Sequence, residues 1–368
     1  MTKKNTAKVK RAGVSKVASK SSTTKAKPKK EDLFKLLSHP PSSSDAYLWC
    51  DYVEIRCIVH PDKRFSRGNL IECVSELQAM EMNASVDEDA DDDEEVDGSG
   101  LQPPADDDGE IPVDDKREAW AAALFNQLDA RAKLFGDSYP FQLVGSGQEL
   151  VFTPATNGGV GLYLQLLLSA SLRLISNTRR MELTEAFESI AEQIFRGLMP
   201  SGWEVHPFGA KASRRYKGHL FTRLTKLAQD WRGDLRLKKR HFKTRNAGDG
   251  GLDLVAWHPL GGDGRVGLPL AAAQCGCSAE EWSLKQLEAS PAKLNLTVQH
   301  PWATYYFMPQ DLVDVLDDGL DWQRRSDIAM AIVIDRLRII RLIVEFGKES
   351  DYISLSPAVQ EACNYALS

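Results

Sequence analysis

The residues of this 368-residue chain best suited to chemistry lie in GDGGLDLVAWHPLGGDGRVGLPLAAAQCGCSAEEWSLK, residues 248 to 285. Gly248, Gly250 and Gly251 permit a tight turn into an apolar strand, LDLVAW, which sets Asp253 near the strand's start. A second strand, LPLAAAQCG, ends in Gln274, and Pro259 to Gly267 reads as the hairpin between the two. Adjacent strands then present a carboxylate and an amide together, with the backbone carbonyl of Cys275 nearby. Oxygen donors of this kind suit Mg²⁺ (or Mn²⁺), a hard cation that keeps several of its waters. Such an ion lowers the pKa of a bound water and shields charge growing on a phosphodiester, so metal-assisted hydrolysis is the chemistry open to these residues.

The elements that must position them read as follows. From Thr184, a candidate N-cap, the residues Phe187, Ile190, Ala191, Ile194, Phe195 and Leu198 form one helical stripe that Pro200 to Gly202 ends. A strand, WEVHPFG, comes next. Lys211 to Arg245 then carries thirteen Lys or Arg against Asp230 and Asp234 alone. That excess marks a positive surface, on which Arg214, Arg215, Lys217, Lys238, Lys239 and Arg240 are the candidate DNA contacts; the bland alternative is a solvated face. Beyond the strands, Ser278 with Glu281 fits a capping box, predicting a helix with Trp282, Lys285 and Gln286 on one face.

The string FExxA on a helix, then GDGGLDLVA, then a strand ending in QC resembles the PD-(D/E)XK nuclease superfamily, in particular its Mrr-type restriction endonuclease branch with GDGGIDxxA followed by QxK. The likeness runs from about Thr184 to Leu287. It implies a restriction-endonuclease-like αβββαβ core within an α/β (α+β overall) chain. Asp253 is then the acidic metal ligand, Gln274 stands where a second Asp or Glu usually does, and Glu188 matches a helix glutamate that helps to hold the metal. Glu188 reads equally as part of an exposed ladder with Glu192 and Arg196. The family lysine should follow Gln274 by two residues, pointing the same way from the strand, but Gly276 is there. Helix side chains lean toward the N-terminus, so Lys285 is the candidate substitute; its alternative is an ordinary exposed lysine. Cys275 and Cys277 read as small packing residues.

The rest of the chain bounds these readings. With 42% hydrophobic and 27% charged residues and no run near the roughly 20 apolar residues a bilayer demands, an integral membrane protein is excluded. Six cysteines with no CxxC pair, and a single CxxH at Cys57 and His60, argue against a zinc knuckle or disulfide scaffold, so a cytoplasmic, reducing location is expected. Residues 1 to 30 hold eleven Lys or Arg and no acid, a disordered basic tail; residues 87 to 115 hold fifteen Asp or Glu and no base, a solvated loop. Between them, YLWCDYVEIRCIVH and NLIECVSELQ alternate apolar and polar residues, predicting strands around a turn at Pro61 to Gly68. Residues 116 to 135 and 162 to 175 read as helices, GSGQE and NGGVG as turns, ATYYFMP as a strand and 328 to 346 as a long helix that covers the core or makes a homo-oligomer contact. The expected domains are 31 to 180 and 181 to 368.

Three functions compete: a Mg²⁺-dependent endonuclease of a restriction or anti-phage system, a DNA-binding module that lost its lysine, and a regulatory subunit with an ATPase or helicase partner.

Overall fold

In a computed structural model the described residues are 32–43, 45–84, 112–156, 158–209, 214–242, 250–316, 319–347 and 355–365. The basic tail, the acidic run from 87 to 111, Lys211 and Gly248 lie outside them. The first elements are helix α1 (Ala46–Val59), β1 (Arg64–Ser66), α2 (Arg67–Ala84), α3 (Val113–Phe135), β2 (Phe141–Val144), β3 (Glu149–Phe152) and α4 (Gly158–Ala170). Then come α5 (Asn177–Leu198), β4 (Glu204–Pro207), α6 (Leu220–Asp230), β5 (Asp234–Leu235), β6 (Leu254–Trp257) and β7 (Leu270–Cys275). The chain continues through α7 (Trp282–Lys285), α8 (Pro291–Leu294), β8 (Leu296–Thr297), β9 (Ala303–Phe307), β10 (Val313–Leu316) and β11 (Gly319–Trp322). It closes with β12 (Ile332–Ile334), α9 (Arg336–Glu345) and α10 (Pro357–Cys363). The fold is mixed helix and sheet, as the α+β reading expects.

A five-stranded sheet in the order β12-β9-β7-β6-β4 is the platform for the candidate site. β4, β6 and β7 are antiparallel neighbours, whereas β7, β9 and β12 run parallel. Alternation along β6 and β7 divides their side chains between two cores. Leu254, Ala256, Ala271 and Ala273 face the α5 stripe of Phe187, Ile190, Ala191, Ile194 and Phe195, and the small alanines let that helix come close. Val255, Trp257, Leu270 and Ala272 face Leu220, Leu224 and Leu227 of α6. Helices thus cover both faces, which is why LVAW is buried at every residue rather than at alternate ones.

Several expectations are corrected. Tyr47 to Val59 forms a helix and not strands: Trp49, Cys50, Tyr52, Val53, Ile55, Cys57, Ile58 and Val59 are all buried, so α1 is surrounded and carries no helical stripe. The segment NLIECVSELQ likewise lies in α2, leaving only β1 at the turn. α5 begins after Ser176 rather than at Thr184. The GGVG of NGGVG, Gly158 to Gly161, supplies the first turn of α4, while GSGQE is the β2–β3 turn as expected. The stretch before α9 is strand β12, rich in β-branched residues, and Asp335 then accepts the Arg338 N–H at 3.0 Å to start the helix. α9 packs inside the chain, with Leu337, Ile339, Ile340 and Ile343 in the α5-side core. That same core contains Leu33 and Phe34, α1, α3, α4, α5 and α10, so the expected boundary at 180 does not separate two cores.

A buried ionic network crosses the same boundary. Arg131 of α3 lies 2.8 Å from Asp51 Oδ1, 2.9 Å from Glu54 Oε1 and 2.9 Å from Asp311 Oδ2. Arg336 of α9 meets Asp51 Oδ2 at 2.8 Å, and the Tyr139 and Tyr163 hydroxyls donate to Glu54. Buried charges persist only when paired in this way.

Candidate active site

The antiparallel register Leu254↔Ala273 sets Asp253 opposite Gln274, and the period of two turns both toward the α6 face. Asp253 just precedes β6 but is already tied into the sheet. Its N–H donates to the Ala273 carbonyl at 3.0 Å and its carbonyl accepts from the Phe208 N–H at 2.6 Å. Its Oδ2 accepts the Cys275 N–H at 2.7 Å, which fixes the carboxylate, and a side chain at Gly209 would begin 3.6 Å from Oδ1. Asp253 and Gln274 are therefore brought together as expected from the strand reading.

Gln274 is 7% exposed, and its Nε2 donates to Glu288 Oε2 at 2.8 Å. Sequence reasoning passed over Glu288. It follows α7 and lies over Gly251, whose φ of +77° suits glycine and whose missing side chain leaves the room: a Cβ there would stand 2.6 Å from Glu288 Oε2. The doubled glycine of GDGG was the available signal, since one positive-φ residue suffices for many turns.

The position of the absent lysine is taken. A Cβ built on Gly276 would overlap the hydroxyl of Tyr306, which β9 carries in register with Gln274. That hydroxyl is buried and has no hydrogen-bond partner among the described residues. Burial pushes its pKa up, with Cys277, Cys275, Glu288 and Asp253 adding to the shift, so the hydroxyl stays protonated.

Lys285 is 34% exposed and pairs with Glu281 one turn earlier at 2.8 Å. The expected contact with Asp253 and Gln274 is replaced by this local pair. Only half of the capping box forms: the Glu281 N–H reaches Ser278 Oγ at 3.3 Å, while the Glu281 carboxylate takes Lys285 and α7 starts at Trp282.

Glu188 is exposed on α5, and its neighbour Glu192 pairs with Arg196 at 2.7 Å as the ladder reading expects. Burial raises the Cys275 thiol pKa, with Asp253 and then Glu188 adding to it; for Cys277 burial is again the largest cause, followed by Glu188. Asp253 and Glu188 thus act on the same thiol. Both thiols are held protonated, unsuited to nucleophilic work.

Two contacts tie the basic segment to the start of α6 and to the glycine turn before Asp253. Gly250 packs on Leu220 at the start of α6, and Phe242 contacts Phe221, with ring centroids 5.6 Å apart. Lys217, Lys238, Lys239 and Arg240 are exposed beside these contacts in sequence. Arg214 is exposed too. Arg215 differs: it grips Asp230 through two hydrogen bonds of 2.8 Å and stacks over Trp257, at the far end of β6 from Asp253.

Among the described residues no group of three or more His, Cys, Asp or Glu could hold a metal. The residues do fit a largely hydrated ion: Asp253 offers a fixed carboxylate, and the buried Gln274 Oε1 has no partner among the described residues. Among the described residues, no helix is long and apolar enough to cross a membrane. Compared with models of protein families, with curated proteins and with solved structures, the chain matches none.

Proposed function

We propose that this chain is a metal-dependent endonuclease that hydrolyses DNA phosphodiester bonds, working as a restriction or anti-phage effector. The observation that carries the reading is the fixed pair of Asp253 and Gln274 on neighbouring strands, with an unpartnered buried amide oxygen beside a carboxylate. The order α5, β4, β6, β7, a short helical crossover and parallel β9 supports an αβββαβ core of the restriction-endonuclease kind. Asp253, with the Cys275 backbone carbonyl and Glu188 as further candidates, would hold Mg²⁺ or Mn²⁺. When bound, that ion supplies a water of lowered pKa and a counter-charge for the phosphate. The chain's own residues do the rest: Lys217, Lys238, Lys239 and Arg240 gather phosphates, and Tyr306 closes the space at Gly276 against water.

The test is cleavage of supercoiled plasmid with Mg²⁺ or Mn²⁺. The intact chain should cut, and Asp253→Ala should lose cutting while still binding DNA. Full activity in that variant would sink the reading. A second reading, a binding module without catalysis, has its own observation: Lys285 is engaged by Glu281, and Tyr306 stands at the lysine position. Salt-sensitive DNA binding with no cleavage by the intact chain would favour it.

A further inference from the structure

We infer that Glu288 is the second carboxylate of the site, sharing one divalent cation with Asp253 and the side-chain oxygen of Gln274. The inference rests on the reading of Asp253 as a cation ligand and supplies the acid missing from the strand.

The orientation of the Gln274 amide comes first. A carboxylate accepts and does not donate, so the Gln274 atom 2.8 Å from Glu288 Oε2 is the nitrogen. The oxygen is then turned away from Glu288, in a residue 7% exposed, with no hydrogen-bond partner among the described residues. An orphaned buried acceptor is costly, so it calls for a donor or a cation. Asp253 stands across the strand pair on the same face, its Oδ2 anchored by the Cys275 N–H. Glu288 is held in turn by the Gln274 nitrogen and by the space over Gly251. Two carboxylates and an amide oxygen are hard donors, and an ion of the magnesium kind needs no more from protein because water completes its shell. Glu188, the candidate from the resemblance, is exposed on α5, the helix that packs on the other face of the sheet, and is left out of this set.

The experiment is Mn²⁺ binding to the full chain, followed by the loss of the free-ion paramagnetic resonance signal, for the unaltered protein, Glu288→Gln and Asp253→Asn. Glu288→Gln keeps a carbonyl for the Gln274 nitrogen, so its metal-free melting temperature should match that of the unaltered chain. Its Mn²⁺ affinity should fall by about tenfold or more, as should that of Asp253→Asn, because ligand charge sets affinity at such sites. Unchanged affinity in Glu288→Gln, or no Mn²⁺ binding by the unaltered chain at millimolar concentration, would overturn the inference. The two readings separate cleanly. Binding that depends on Glu288 in a protein that cuts no plasmid keeps the cation site and removes the nuclease; cutting that depends on Asp253 with Glu288-independent binding does the reverse.

Discussion

At Gly276 and Tyr306 two side chains compete for one space. Gly276→Ala should lower stability by about 1–3 kcal/mol, the usual cost of overpacking, because the new methyl overlaps a buried tyrosine hydroxyl. Tyr306→Phe should relieve little of this, since the ring carbon that bears the hydroxyl also lies within 2.9 Å of the added Cβ. Tyr306→Leu should relieve much more, and a thermal double-mutant cycle reads the difference. Lys285→Ala breaks an exposed pair one turn apart, so it should change stability by about 0.5 kcal/mol or less and plasmid cleavage only a few-fold. A hundredfold loss of turnover would mean that Lys285 leaves Glu281 for the phosphate. Asp253 and Gln274 were legible because glycines and strand alternation are local signals. Glu288 was not: it sits in a turn after a one-turn helix, and only the fold folds it back over Gly251.

The elements that carry charge divide by what their charges touch. Lys238, Lys239 and Arg240 are exposed, so neutralising two of them should reduce the salt slope of DNA binding by about one per lost contact, whatever the DNA sequence. Arg215→Ala should leave that slope nearly unchanged and lower the melting temperature, because its guanidinium is already spent on Asp230. Salt titrations of both variants check the contrast. The amphipathic elements α5 and α6 could be read from spacing, since each turns one apolar face to the sheet. α1 could not, because burial on all sides erases periodicity and leaves an accidental alternation that imitates a strand. β12 was absorbed into α9 for a related reason: its apolar run joins that of the helix, and only the Asp335 cap marks the border.

Across the whole molecule the buried ions set how stability follows pH. Burial, aided by Asp311, raises the Asp335 carboxyl from 3.8 to about 7, and Glu54 and Asp311 are raised in the same direction, chiefly by burial. The folded Asp335 then holds a proton that the unfolded chain has released, so its contribution is full below about pH 4 and is lost as pH rises through 7. Asp335→Asn keeps an acceptor for the Arg338 N–H and removes the titration. Urea unfolding should therefore show a flatter pH response in that variant and a higher midpoint at pH 8; an unaltered slope between pH 4 and 7 would assign the titration elsewhere. Arg336→Met should cost about 3–5 kcal/mol, because Asp51 loses a partner deep in the core.

The pairing of Asp51 with Arg336 also bears on how the chain is born. A ribosome adding about 5–20 residues per second would make Asp51 and Glu54 roughly 15–60 s before Arg336 leaves the synthesis site. Until then the acids of α1 have at most Arg131 to neutralise them, and water is the better solvent for the remainder. The acids of α1 must wait, open and hydrated, until Arg336 is made. Chains stalled before residue 336 should accordingly be cut by protease within α1, and chains released after 365 should resist it.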